Sequence, residues 1–269
     1  MIVQTQALRI ARRPREFVRV AGPDAESFLQ RMLSQDVAID PGDAREALLL
    51  TPKARVIATM VVLRRTADEY LLSTEAGLAE RLVAELRRFR FAAKVEIETE
   101  PHDSVLVFGP PPEGTSYPVS DYGEPAWELL DGSPAQPVEL VDDAALEARR
   151  IRAGTPRLGR EIDDRVLPEE AGLTSRAVSF TKGCYPGQEP VARLHYRGHA
   201  NRGLRLLRLD SGELPAYDAE LTYEGKPVGR ITSAAHDEDG GVVALAYVRR
   251  EVPADADLAT GSAIARQLD

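Results

Sequence analysis

Cysteine is nearly absent from this chain: there is one in 269 residues. An intrachain disulfide is therefore excluded, and the chain by itself cannot supply the several thiolates that a structural zinc or an iron-sulfur cluster takes. Aromatic residues are also scarce, at 6%. No uninterrupted apolar stretch is long enough to span a bilayer. The start, Met1-Ile2-Val3-Gln4-Thr5-Gln6, lacks the basic residues and apolar run of an export signal, so a cytoplasmic protein is expected. Neither a phosphate-cradling glycine loop nor a dinucleotide fingerprint occurs. The net charge of -9 argues against general nucleic-acid binding, which rests on a cationic footprint. With 43% hydrophobic and 29% charged residues, the composition is that of a folded protein.

The lone thiol sits in the run Lys182-Gly183-Cys184-Tyr185-Pro186-Gly187-Gln188-Glu189. Tyr185 to Gln188 reads as a type II turn, because proline presets φ and glycine accepts a positive φ. Gln188 to Arg197 is predicted to form a short helix, with Pro190 in its first turn and Gly198 ending it. Cys184 then lies on a loop near a helix N-terminus, where the positive helix end and Lys182 favour a thiolate. The alternative is a small residue filling a gap beneath the loop. Arg193, Arg197, Arg202, Arg205 and Arg208 follow and are able to receive an anionic ligand or to form a solvated face.

Alternation and helical spacing predict an α+β protein. Phe17 to Val20 reads as a strand, and Ala25 to Met32 as a helix. Two strands follow, joined by a tight turn at Thr51-Pro52-Lys53-Ala54. Tyr70 to Ser73 is a strand, and Leu78, Leu82, Val83, Leu86 and Phe89 mark the apolar face of a helix. Further strands are expected at 95–98 and 105–108, then a helix over 144–153. The segment at about 109–140, framed by glycine and proline, is expected at the periphery. Beyond Gly203, short strands separated by turns suggest a small β-barrel. The predicted division is residues 1–200, with two α+β lobes, and a barrel over 201–269.

The 182–189 octet resembles the signature of the YgfZ-type folate-binding proteins, in the superfamily of the glycine cleavage T-protein, an aminomethyltransferase. Other stretches occur in the order expected of it: Gly22-Pro23-Asp24-Ala25-Glu26-Ser27-Phe28-Leu29, Leu50-Thr51-Pro52-Lys53-Ala54-Arg55, Arg152-Ala153-Gly154-Thr155-Pro156 with Gly159, and Pro168-Glu169-Glu170-Ala171-Gly172-Leu173. The resemblance implies a three-lobed assembly around a central opening that holds tetrahydrofolate. It also implies an accessory role in assembly or repair of iron-sulfur enzymes, with those enzymes or cluster assembly proteins as partners. By that resemblance Glu170 is expected to take the paired N–H donors of a pterin; it could instead cap its own loop. Tyr185, Tyr196 and Phe180 are candidates to wall the ring, and Arg193 and Arg197, with Lys182 and Gln188 nearby, to hold the tail.

Two departures from the family pattern bear on chemistry and shape. Tyr70 to Glu80 lacks the aspartate that assists methylene transfer in the T-protein, leaving Glu75 and Glu80 as the acids there. Ala54 stands where glycine is frequent, which argues against a positive φ at that position. His195 and His199 are four apart, but Gly198 interrupts their helix and no third metal ligand is evident. His236 to Gly241 is expected as a hairpin turn. Three functions follow as alternatives: a folate-dependent accessory factor using the thiol of Cys184, a one-carbon transferase of the T-protein type, and a folate-binding scaffold with an inert cysteine.

Overall fold

The computed structural model describes residues 7–134 and 137–268. The Met1–Gln6 start lies outside the described residues, as does part of the loop expected at 132–137. In chain order the elements are β1 (Leu8–Ala11), β2 (Arg15–Ala21), α1 (Ala25–Met32), β3 (Ala44–Leu50), β4 (Val56–Thr66), β5 (Glu69–Glu75), α2 (Ala79–Arg88) and β6 (Glu96–Thr99). Next come β7 (Ser104–Phe108), β8 (Ser116–Val119), β9 (Ala126–Leu130), β10 (Val138–Leu140), α3 (Asp143–Arg152), α4 (Thr174–Ala177) and α5 (Gln188–Arg197). The chain ends in β11 (Arg202–Leu209), β12 (Glu220–Tyr223), β13 (Lys226–His236), β14 (Val242–Arg249), β15 (Leu258–Thr260) and β16 (Ala263–Gln267). Among the described residues no helix is long and apolar enough to cross a membrane.

These strands make three bodies. One five-stranded sheet has the order β3-β4-β5-β2-β6, a second has β10-β1-β7-β9-β8, and the last six strands close into a barrel, β11-β14-β13-β12-β15-β16. Strand alternation explains how the first sheet is covered on both faces. Val18, Val20, Tyr70 and Leu72 point to a core shared with Phe28 and Leu29 of α1 and Leu82 and Leu86 of α2. Their neighbours Phe17 and Leu71 point the other way, onto Leu106, Phe108 and Tyr117 of the second sheet.

Two expectations are corrected here. The 109–140 segment is no peripheral excursion: it supplies three strands to the second sheet, and Tyr117, Val119, Tyr122, Ala126 and Leu130 lie in its core. Glycine and proline mark its turns, while its apolar alternation builds strands. Phe89, read as part of the α2 apolar face, is the C-cap residue and is exposed. The helix stops one residue before the periodicity would carry that side chain inward.

A buried ionic cluster joins α3, the following loop and the barrel. Asp142 starts α3 by accepting from the backbone N–H of Ala145 at 2.8 Å. One turn from its end, Arg150 donates to Glu161 (3.0 Å), Glu147 (2.7 Å), Ser233 (2.8 Å) and the carbonyl of Thr155 (2.5 Å). Glu161 is 0% exposed and also accepts from Thr232, Ser233 and the Arg157 backbone N–H. Ala148 and Ile151 of α3 pack on Ala235, Val243 and Leu245 of the barrel beside it. Removing one partner of a fully buried pair strands the other charge, a cost of about 3–5 kcal/mol. Arg150→Met is therefore expected to lower unfolding free energy by about that amount in urea denaturation. Arg266→Met, which breaks an exposed pair with Asp257, should leave the midpoint unchanged.

Candidate functional site

The Cys184 loop folds as its residues dictate. Gly187 has φ 83° and ψ 1°, and the Gln188 N–H donates to the Tyr185 carbonyl at 3.2 Å, which is the type II turn. α5 begins at Gln188 and Gly198 closes it. Cys184 is exposed. The turn rests on the β3–β4 connection: a Cβ on Gly187 would stand 2.6 Å from the Thr51 carbonyl oxygen and 3.1 Å from the Ala54 Cα. Ala54 itself has φ 58°, contrary to the expectation from its side chain. Its N–H donates to the Thr51 carbonyl and Arg55 N–H to the Thr51 hydroxyl, while its methyl is buried in the core beneath. Those contacts hold a backbone that alanine alone disfavours.

Lys182 does not attend the thiol. Its ammonium donates to the carbonyls of Leu33 (2.7 Å) and Gln35 (2.8 Å) and lies 5.5 Å from the centre of the Tyr185 ring. Burial pulls its pKa down to about 8, against the opposing pull of Asp36. Tyr185 is 7% exposed, its hydroxyl has no partner among the described residues, and burial pushes its pKa up to about 12. Phe180, ahead of the loop, stacks on His195 of α5 at 3.9 Å between ring centres, and Tyr196 meets both edge-on. Arg193, Tyr196 and Arg197 are exposed, and Gln188 is half-buried. Glu170 is held within its own region, accepting from Leu167 N–H (2.9 Å) and from Arg202 (3.0 Å). Among the described residues, no three His, Cys, Asp or Glu side chains are grouped to hold a metal ion.

A cavity of about 720 Å³ opens where the three bodies meet, and none of those predicted site residues lines it. Its walls come from β3–β5, the Asp121–Tyr122 turn, α3 and barrel strand β13. Arg150 and Arg157 in this wall pair with Glu161 and Glu147, and on the other side Arg13 and Arg176 are likewise locked by carboxylates. Arg13 donates to Asp121 (2.9 Å) and Glu128 (2.9 Å), and Arg176 to Asp121 (2.7 Å) and Glu46 (2.7 Å). Burial alone would raise the Asp121 pKa, but Arg13 and Arg176 together hold it below the usual carboxylate range. Three other lining arginines, Arg12, Arg15 and Arg160, form no ion pair among the described residues. Arg15 donates to Ser73, and Arg160 lies over the ring of Tyr217.

Glu75 faces Arg15 across the β2–β5 ladder and lines the same cavity. Burial raises its pKa, only partly offset by the Leu158 N–H and by Arg15 and Arg157. Thr155, 6% exposed, lines the cavity with a hydroxyl that has no partner among the described residues. Of the two acids singled out in the Tyr70–Glu80 stretch, only Glu75 reaches the cavity; Glu80 is exposed on α2. The cavity arginines come from distant elements with no common spacing. The run Arg12-Arg13-Pro14-Arg15 was the one local signal of them.

Two outcomes test this geometry. Gly187→Ala places a side chain at positive φ against the Thr51 carbonyl, and should cost about 2–3 kcal/mol in denaturant unfolding. A carboxyl whose folded pKa is raised contributes stability at low pH that is lost as pH rises through that value. Glu75→Gln should therefore melt above the natural protein near pH 7, the gap closing as the pH is lowered toward about 4.

Comparison with known proteins agrees with this architecture. Residues 15–114 match the GCVT N-terminal domain. The tRNA-modifying protein YgfZ of Edwardsiella ictaluri is 28% identical, with 90% of this chain and 84% of that protein covered. The iron-sulfur cluster assembly factor IBA57 homolog, mitochondrial, of Pyricularia oryzae is 26% identical, covering 92% of this chain and 73% of its own. The crystal structure of glycine cleavage system aminomethyltransferase T from Bartonella henselae superposes with a TM-score of 0.84 at 22% identity, over 98% of this chain and 86% of that one, a likeness of fold. Sequence relatives, domain match and fold converge: the chain is similar to YgfZ-type proteins over most of its length and has a GcvT-like fold.

Proposed function

We propose that this protein binds tetrahydrofolate in its central cavity and acts as an accessory factor in the assembly or repair of iron-sulfur enzymes, with Cys184 supplying thiol chemistry. The observation that carries the reading is the cavity itself. Its 720 Å³ falls within the roughly 300–1,000 Å³ of small-molecule sites, and its wall pairs apolar surface from Leu48, Met60 and Val61 with a few aimed polar groups. The names borne by relatives, an iron-sulfur cluster assembly factor among them, support the cellular role.

The donor set suits a reduced folate. Glu75, half-buried and without a cation in hydrogen-bond contact among the described residues, is able to accept two adjacent N–H donors of a pterin edge. Thr155 offers a buried hydroxyl in need of a partner. Arg12, Arg15 and Arg160 are free to pair with the tail carboxylates. Glu170, the residue expected from the family pattern, lies outside the lining and already serves Arg202 and the Leu167 N–H. The cavity carboxylate is thus the better acceptor. One observation favours a second reading, one-carbon transfer: Glu75 has the raised pKa that suits a group moving a proton. Release of a methylene group by the purified protein would establish that alternative.

Calorimetric titration with tetrahydrofolate tests the assignment. Glu75→Gln should weaken binding by about tenfold or more, as befits a lost charge-assisted contact, and Glu170→Gln should leave it unchanged. The reverse result would return the pterin to Glu170, and no binding by the natural protein would remove folate altogether. In cells, Cys184→Ser should lower iron-sulfur enzyme activity while folate affinity is retained. Unaltered activity would leave the cysteine inert.

A further inference from the structure

The surface around the thiol is cationic and lacks internal neutralisation. Arg193, Tyr196 and Arg197 share one face of α5 by their i, i+3, i+4 spacing, and all three are exposed. Lys53, exposed, and Arg55, half-buried, project from the turn on which the Cys184 loop rests. None of these four cations forms an ion pair among the described residues. Some exposed arginines elsewhere do: Arg165 holds Asp163 and Arg266 holds Asp257. The carboxylate on the same helix face is Glu189, in the first turn. A net positive patch thus stands on a protein whose formal charge is -9.

That patch also carries apolar anchors. Tyr196 is 65% exposed and is braced by Phe180 and His195, which stack on each other. Tyrosine and arginine are the side chains that dominate binding energy at protein interfaces, and a braced ring loses little freedom on contact. A nucleic acid would need a longer cationic track, because its affinity grows with each neutralised phosphate and the rest of this surface repels it. An acidic peptide segment needs only this patch.

We propose that α5 and the Thr51–Ala54 turn form a docking surface for an acidic segment of a partner protein, which they deliver to Cys184. The proposal rests on the thiol reading above and adds the partner's chemistry to it. Because Cys184 is the only thiol in the chain, mixed-disulfide formation reports on this surface alone. The Cys184 thiolate attacks one sulfur of a disulfide reagent, the reagent's S–S bond breaks, and its other half leaves as a thiolate. Rates are measured on the full chain with dithiodiglycolate (dianionic), hydroxyethyl disulfide (neutral) and cystamine (dicationic), each divided by its rate with N-acetylcysteine amide.

The expected result is a normalised rate about tenfold or more higher for the anionic reagent than for the cationic one at low ionic strength. That preference should shrink in salt and invert in Arg193→Glu/Arg197→Glu, two exposed changes whose fold is checked by circular dichroism. Equal normalised rates, or a preference that survives the charge reversal, would overturn the proposal. No reaction with any reagent would defeat the thiol reading and this surface with it. A fluorescent oligoglutamate peptide should bind the natural protein and lose binding in the reversed variant. Tighter binding of an RNA oligomer of equal charge, lost by the same reversal, would overturn the choice of a protein partner.

Discussion

The buried pair between Arg150 and Glu161 is the constraint on which the arrangement of the three bodies depends. A carboxylate with no solvent exposure is tolerable because four donors converge on it, from α3, from the loop after it and from barrel residues Thr232 and Ser233. Arg150 and the barrel donor Ser233 lie 83 residues apart in the chain, so the charge is satisfied only when barrel and α3 have docked. Apolar packing between Ile151 and Leu245 stabilises the same contact but has little directionality. The ionic cluster supplies the direction, since a slide of one residue would leave Glu161 buried and unpaired.

The cavity follows from that docking. Arg150, Ser233 and Thr232 line it on the barrel side, so the groups that hold the bodies together also form its wall. On the opposite side Arg13 and Arg176 share Asp121, tying the second sheet to β2's approach and to α4. These paired charges are committed to structure. What remains for a ligand is the set left over: Glu75 with its raised pKa, the orphan hydroxyl of Thr155 and the arginines without carboxylates. Separating committed from uncommitted charge tells a binding site from a merely polar interface.

Local chemistry was legible in the sequence where it is decided locally. Proline followed by glycine specified the turn at 185–188, because both act through their own φ, and α5 ends at Gly198 as expected. The barrel was legible from its strand spacing. Ala54 was misread because its positive φ is imposed by Thr51 and by a buried methyl, neither visible in the residue type. Lys182 was misread for a similar reason: adjacency in sequence placed it beside the thiol, but the carbonyls of Leu33 and Gln35, just after α1, accept its hydrogen bonds. The cavity was the least legible part, as its walls are drawn from positions between 12 and 234. Glu170 keeps the family spacing, yet spacing cannot reveal that Arg202 occupies it.

The thiol and the cavity are distinct places on this fold, joined by one packed layer. Leu48, Leu173 and Ala177 face the cavity and belong to the same apolar cluster as Tyr185 and Val191, which seat the Cys184 turn and α5. Cores at native packing density resist continuous deformation, so a shift of Leu48 or Leu173 has few ways to be absorbed. Ala54 and Gly187 leave no slack at their contact, since even one added carbon would meet the Thr51 carbonyl. Tyr185 adds, in the same layer, a buried hydroxyl without a partner among the described residues, a group that gains a hydrogen bond if the layer moves toward one. Occupancy of the cavity and the posture of the thiol loop therefore meet in this cluster, and any coupling between them acts through the side chains common to both.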